Sequence, residues 1–205
     1  MSDYYHQLEP AIKVLEELIK KYKKIKNVEI EIKLGRIDDK FIAGIHSESF
    51  YDKIKNSLDS YSGWDSVNKE HTVDYIKDSY RKTEDNIIHK ERLESINFNF
   101  KGTPYDFRIC VSTETPDNLK SFKHSLVRRK NRISYVYNEC KLDLTKVEEE
   151  SSDEIVENEE FEVELIKLNS NTSDLYRAHS ALLKIRDIIN ICEKIEDTSK
   201  VSKVV

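Results

Sequence analysis

The stretch "VEIEIKLG" (28–35) alternates Val28, Ile30, Ile32 and Leu34 with Glu29, Glu31 and Lys33. Far downstream, "EEFEVELIKL" (159–168) repeats the pattern, with Glu160, Glu162 and Glu164 set around Phe161, Val163 and Leu165. Side chains alternate faces along a strand, so residues two apart share a face. Each stretch therefore has an apolar face and a charged one, and together the charged faces carry five carboxylates. Carboxylates at i and i+2 stand ~7 Å apart, and they repel by ~0.6 kcal/mol in water but ~2.4 kcal/mol at an effective dielectric of ~20. Exposed, such rows cost little. Enclosed, they need cations beside them.

The same period of two recurs over 72–83, 86–100, 106–114, 127–137 and 139–147. Sorting those stretches by face groups Ser79, Arg81 and Thr83; Lys90 and Arg92; Asp106, Arg108, Cys110, Ser112 and Glu114; Arg128, Lys130, Arg132 and Ser134; and Lys141, Asp143 and Thr145. Such faces belong by default to the solvent side of a half-buried sheet. A solvent side, however, usually mixes signs, because like charges side by side repel. Here two strands are nearly all carboxylate and three nearly all cationic. Closing the sheet with these faces inward gives an acidic wall that can hold a divalent cation, opposite cationic walls that can hold phosphates. The apolar faces then point outward, to be covered by helices.

Three helices are predicted. "LEPAIKVLEELIKKYKKI" (8–25) places Leu8, Ile12, Leu15, Leu18, Ile19 and Tyr22 on one stripe, with lysines on the other side. "SESFYDKIKNSLDSY" (47–61) aligns Phe50, Ile54 and Leu58 behind Ser47 or Ser49 as N-cap. "NTSDLYRAHSALLKIRDIINICEKIE" (171–196) aligns Leu175, Leu182, Ile185, Ile189 and Cys192. The segment 148–159 is expected as a solvated acidic loop, and 197–205 as a frayed or cut end. Seven or eight strands without crossover helices argue for an antiparallel sheet or barrel.

Composition removes several function classes. The chain has 205 residues, 36% of them charged, yet its net charge is only −5, so bulk charge alone does not hold it to nucleic acid. Three widely spaced cysteines supply neither a zinc site nor a disulfide framework, and a reducing intracellular setting is expected. No signal sequence and no apolar run of ~18 residues occurs. Four glycines leave no P-loop and no dinucleotide-binding turn, and no HExxH is present. The histidines have no companions at metal or triad spacing. Trp64 reads as a core or loop anchor.

With these faces in view, "EIEIKLG" and "EFEVEL" resemble the two glutamate motifs of the triphosphate tunnel metalloenzymes. The branch that the chain resembles is the fungal and viral metal-dependent RNA 5′-triphosphatases of mRNA capping. "YRKT", "HKERLESINF", "DFRICVSTE", "RRKNRISYV" and "KLDLTKV" follow in that family's order, so the resemblance covers residues 28–167. It implies an α+β fold, a closed eight-stranded antiparallel β-barrel with a charged interior and flanking helices. It implies one tunnel domain over 1–205, similar to the N-terminal domain of a giant-virus capping enzyme, with a guanylyltransferase domain downstream. For a viral protein the setting is the host cytoplasm or the virion.

The resemblance also implies roles. Glu29, Glu31 and Glu164 would bind Mg²⁺ or Mn²⁺. Glu160 and Glu162 would orient waters, one of them the nucleophile. Arg81, Lys130 and Arg132 would grip the γ-phosphate, with Lys90 and Arg92 lining the tunnel and the choice between those two left open. Glu114 and Asp143 would buttress the cations, Thr145 would add a hydroxyl, and Lys33 and Arg108 face inward by phase. The expected reaction is hydrolysis of the γ-phosphate of triphosphate-ended RNA to a diphosphate end, with nucleoside triphosphates as side substrates and the RNA preferred through a lysine-rich rim. The thiol route to the same reaction needs Arg six positions after Cys. Pro116, Lys146 and Thr198 stand there instead. A KxDG nucleotidyl-transfer signature is missing too. Two alternatives remain, a tunnel phosphatase for tripolyphosphate or thiamine triphosphate and a non-catalytic polyanion-binding barrel. The latter has no need of five glutamates.

Overall fold

The two glutamate strands are neighbours. In the computed structural model, which describes residues 4–45, 47–84, 86–119 and 122–200 (backbone alone at 4, 5 and 192–200), β1 (Val28–Asp38) pairs antiparallel with β9 (Ile155–Leu165). The pairs are Glu31↔Glu164, Ile32↔Val163 and Lys33↔Glu162, and this short seam closes the sheet. Between them run β3 (Ser66–Lys77), β4 (Tyr80–Lys82), β5 (Ile87–Phe98), β6 (Asp106–Asp117), β7 (Leu126–Tyr137) and β8 (Cys140–Glu150). The order around the ring is β1-β6-β5-β4-β3-β7-β8-β9 and back to β1. All pairings are antiparallel, so eight strands form the expected closed barrel.

A ninth strand, β2 (Lys40–Ala43), folds back on the end of β1 outside the ring. Gly35 makes this possible, since a Cβ there would lie 2.3 Å from the Ile42 carbonyl oxygen and 2.6 Å from the Phe41 ring. With so few glycines, the tight turns use other residues. Asn27, Asp39, Asp78 and Asn138 all have φ between 53° and 58°, in the left-handed region that Asn and Asp tolerate best.

Three stretches differ from their sequence reading. The run 72–83 is a hairpin, β3 and β4, turning at Asp78, and β3 begins at Ser66. The acidic segment 148–159 is mostly strand; only 151–154 connects β8 to β9. In β5 the register slips between Arg92 and Glu94, so Leu93 is a bulge. Before it Lys90 and Arg92 lie opposite Glu114 and Ser112; after it Ser95 and Asn97 lie opposite Cys110 and Arg108.

The apolar strand faces point outward, as expected, but helices cover only part of the barrel. Ile30, Ile32, Leu34, Phe107, Ile109, Leu142, Leu144, Phe161 and Val163 are buried in one cluster with the helices α1 (Tyr4–Tyr22), α2 (Glu48–Ser60) and α3 (Asp174–Lys200). The outer faces of β3 and β7 instead carry Lys69, His71 and Asn131 towards solvent or partly so. The α1 stripe is buried as read. In α2 the extended Ser47 occupies the N-cap position without a side-chain capping bond, its Oγ lying 2.9 Å from Ser49 Oγ, and Tyr51 joins Ile54 and Leu58 inside. In α3 Leu175 is 44% exposed, and Ala178 and Ala181 fill the stripe with Leu182, Ile185 and Ile189. The Cys192 side chain lies outside the described residues. Trp64 anchors its loop, donating to the Leu58 carbonyl at 2.8 Å.

Truncating a fully buried side chain removes transfer energy and leaves a cavity. Ile185→Ala should cost ~2–5 kcal/mol in urea unfolding. Leu175→Ala, on the same helix, should stay within ~0.5 kcal/mol.

Candidate functional site

Each strand places alternate side chains in the barrel, and the enclosed charges pair across its walls. On the acidic side, Lys33 sits 3.2 Å from Glu31 and donates to Glu162. Lys90 reaches across from β5 to Glu29 at 2.7 Å and Glu114 at 2.9 Å, with Glu31 at 4.0 Å. Lys141 pairs with Glu164 at 2.6 Å. Arg128 pairs with Glu160 at 2.7 Å and Glu149 at 2.8 Å. The five glutamates of the opening pattern therefore all face the interior, each with a cation.

The cationic wall is built the same way. Arg81 approaches Asp74 at 3.5 Å and Glu114 at 3.6 Å. Lys130, 5% exposed, donates to Asp74, which is 3% exposed. Arg132 lies 3.3 Å from Asp143, donates from Nε to the Thr145 hydroxyl at 3.2 Å, and approaches Glu162 at 4.0 Å. Asp143 also accepts from the Ser134 hydroxyl at 2.7 Å. Glu114, Asp143 and Thr145 thus touch the cations they were expected to support.

Of the sequence-predicted residues, the barrel brings together Glu29, Glu31, Glu160, Glu162, Glu164, Lys33, Arg81, Lys90, Lys130, Arg132, Glu114, Asp143 and Thr145. Lys90 belongs to this network, whereas Arg92 is exposed beside the bulge. Arg108 stands apart. It stacks 4.4 Å over the Phe41 ring and donates to Asn97 at 2.7 Å. Sequence reading missed Asp74 as a partner of two cations. Its signal was there in the polar row Glu70, Thr72 and Asp74, once the strand is started at Ser66. Arg128 and Lys141 were on the right faces but had no role.

Charge balance shows in the titration behaviour. Burial would raise the Glu162 carboxyl, but Lys33, Arg132 and Lys130 outweigh it and hold it at about 2. Burial lowers the Lys130 ammonium, and Arg81 and Arg128 lower it further against Asp74. Burial raises Glu29 against the pull of Lys90, with Glu114 and Glu31 adding repulsion. It raises Glu164 against Lys141, with Glu29 and Asp143 adding to it.

Among the described residues no three His, Cys, Asp or Glu side chains converge into a ready-made cation cage, because lysines stand between the carboxylates. The donor set nevertheless fits a hard divalent cation. Glu31 Oε1 is buried and accepts no aligned hydrogen bond among the described residues, its nearest cation being the Lys33 ammonium at 3.2 Å. Burial keeps the Glu29 and Glu164 carboxyls above the usual range even with Lys90 and Lys141 beside them, and all the donors are oxygen.

The family model of the mRNA capping enzyme beta chain matches residues 42–181. That span begins just after the strand that carries Glu29 and Glu31. The mRNA-capping enzyme subunit beta of Cryptococcus neoformans is 32% identical over 102 residues, 50% of this chain and 21% of that protein. The subunit of the same name from Yarrowia lipolytica is 30% identical over 142 residues, 62% of this chain and 37% of that protein. The chain thus spans well under half the length of either relative. The fold is similar to that of the S. pombe Pct1 RNA triphosphatase, with a TM-score of 0.71 at 21% identity over 88% of this chain and 92% of that one. The same protein in complex with the Spt5 CTD matches with a TM-score of 0.70 at 20% identity, over 87% of this chain and 93% of that one.

Breaking a buried pair from one side leaves a stranded charge. Asp74→Leu should cost ~3–5 kcal/mol, while adding Lys130→Met to it should recover most of that loss, read as a double-mutant cycle in urea. The Glu162 carboxyl, held at about 2 when folded against a usual 4.5, adds stability above pH 4.5 that is lost as pH falls through 2. Glu162→Gln should flatten that acid limb in unfolding midpoints measured against pH.

Proposed function

Because the chain belongs to the family of the mRNA capping enzyme beta chain, we propose that its barrel hydrolyses the γ-phosphate of triphosphate-ended RNA, leaving a diphosphate end for capping. The observation that carries this reading is the enclosure of five glutamates facing Arg81, Lys130 and Arg132 in one closed barrel. A substrate with several adjacent negative charges and a bound cation matches both walls at once.

In this reading Glu29, Glu31 and Glu164 hold Mg²⁺ or Mn²⁺. When bound, the metal supplies positive charge at the γ-phosphate. Arg81, Lys130 and Arg132 bind the remaining phosphate oxygens and neutralise charge that builds up on them. Their carboxylate partners fix them before substrate arrives, so little reorganisation is needed at the moment of reaction. Glu160 and Glu162 accept hydrogen bonds from a water and aim it at phosphorus, in line with the departing β-phosphate oxygen. Lys90 lines the path between Glu29 and Glu114. The diphosphate product no longer spans both walls, and hydrolysis stops there.

Labelled triphosphate-ended RNA, ATP, GTP and tripolyphosphate, each with Mg²⁺ or Mn²⁺, should test this. Inorganic phosphate and diphosphate-ended RNA are the expected products. A monophosphate end as the main product would overturn the reading, and turnover of tripolyphosphate with none of RNA would make the chain a different tunnel phosphatase. Glu29→Ala, Glu31→Ala and Glu164→Ala should each abolish turnover in a chain that still unfolds cooperatively. Arg132→Ala should cost at least ~100-fold in kcat. Arg132→Lys should also be damaging, because a point ammonium does not replace the forked guanidinium that contacts Asp143 and Thr145.

A further inference from the structure

At the end of the barrel where β1 begins and β9 ends, segments 23–28 and 164–170 bound a cleft of about 820 Å³. Glu164, whose carboxylate pairs inside the barrel with Lys141, is among the residues that line it. The carboxylates at this end are more exposed than those midway along the acidic wall. Glu29 and Glu164 are 28% and 25% exposed, against 10% for Glu31 and 12% for Glu162.

The lysines around the cleft divide into two groups. Lys20, Lys21 and Lys23 are engaged by Glu16 at 2.5 Å, Glu94 at 2.8 Å and Asp174 at 2.7 Å. Lys24, Lys26 and Lys167 line the cleft, are exposed, and have no carboxylate partner among the described residues. The molecule carries a net charge of −5, so unpaired cations gathered from both banks of one cleft are not a consequence of bulk composition. Both banks are also held in place. Asn27 and Lys167 turn through the left-handed region at φ 58° and 57°, a conformation that asparagine tolerates and lysine does not favour. The fully buried Arg177 donates to the Ser170 carbonyl at 2.9 Å and pairs with Glu139 at 2.7 Å, which ties the second bank to the β7–β8 turn.

We propose that this cleft is the track for the RNA chain behind the triphosphate, with Lys24, Lys26 and Lys167 contacting its first phosphodiesters; this rests on the hydrolase reading above. Lysine is a point charge on a flexible stem and contacts phosphate without reading the base. The cleft therefore distinguishes a triphosphate that continues into a polynucleotide from one that does not. It sets preference for RNA over free nucleotides without setting sequence preference.

The test compares the unmodified protein with a K24E/K26E/K167E variant in two measurements. In turnover, kcat/KM for triphosphate-ended RNA should fall by about tenfold or more at low salt, with ATP hydrolysis changed less than about twofold, because the three lysines act beyond the first nucleotide. In binding, an RNA with a 5′-hydroxyl end, which cannot be hydrolysed, should bind the unmodified protein more tightly. Its log–log salt dependence should be shallower in the variant by ~0.7 for each phosphate that a lysine no longer neutralises. Equal losses for RNA and ATP, or unchanged binding of 5′-hydroxyl RNA, would overturn the proposal. An unmodified protein that binds this RNA through the three lysines but hydrolyses no triphosphate would leave the cleft standing and remove the hydrolase reading.

Discussion

Lys33 stands between Glu31 and Glu162 at the three-pair seam where β1 meets β9, and closure of the barrel depends on that contact. The seam sets Glu31 directly opposite Glu164, a like-charge pair that would drive the strands apart in a dry interior. Burial lowers the Lys33 ammonium, but Glu162 and Glu31 outweigh it and raise it above the usual lysine range. Lys141 on Glu164 and Lys90 on Glu29 repeat the device on either side of the seam. The acidic wall is thus held together by lysines from within. This is an inverted arrangement for a small barrel, whose interior is ordinarily filled by apolar side chains. It is sustained because the outer face of the same strands supplies the hydrophobic core, through Ile30, Ile32, Phe161 and Val163, buried in one cluster with residues of the helices.

Two-sided burial explains what could be read in advance. Strands that bury an apolar face on helices and a charged face inside show strict alternation, and so β1, β6, β8 and the later half of β9 were legible with their side-chain directions, as was β7 from its cationic row Arg128, Lys130 and Arg132. Thirteen of the fifteen candidate site residues share the interior network for that reason, leaving Arg92 and Arg108 outside it. Where one face meets water the pattern fades. "SVNKEH" (66–71) is exposed along its whole length and gives no apolar alternation, so the start of β3, and with it the phase of Asp74, was missed. The β8–β9 hairpin extends beyond the covered wall, and its glutamates read as a loop. The turn at Asp78 has neither glycine nor proline to announce it. Leu175 sits in the first turn of α3, where two alanines downstream already fill the interface.

Partner choice inside the barrel was not legible at all. Period two says which face a residue occupies, but not which of seven other walls it will meet. That Lys90 bridges Glu29 and Glu114, and that Lys130 and Arg81 share Asp74, follows from the order of strands around the ring. That order is a property of long-range pairing and not of any local stretch.

Leu93 gives β5 a half-turn of identity. Upstream of this single extra residue the strand belongs to the tunnel, through Lys90; just past it Glu94 points the other way and receives hydrogen bonds from Lys21 and Tyr22 of α1. The chain length between Lys90 and Ile96 is therefore fixed as a parity. Remove one residue there and Ile96 and Phe98 turn into the charged interior while Ser95 and Asn97 face the helices. Add two, and the parity survives but Glu94 moves off its helix. Variation in length across descendants of this sequence should accordingly collect in segments such as 98–106 and 150–155, which connect strands at the barrel's rim, and leave 90–96 a constant count whatever happens to its letters.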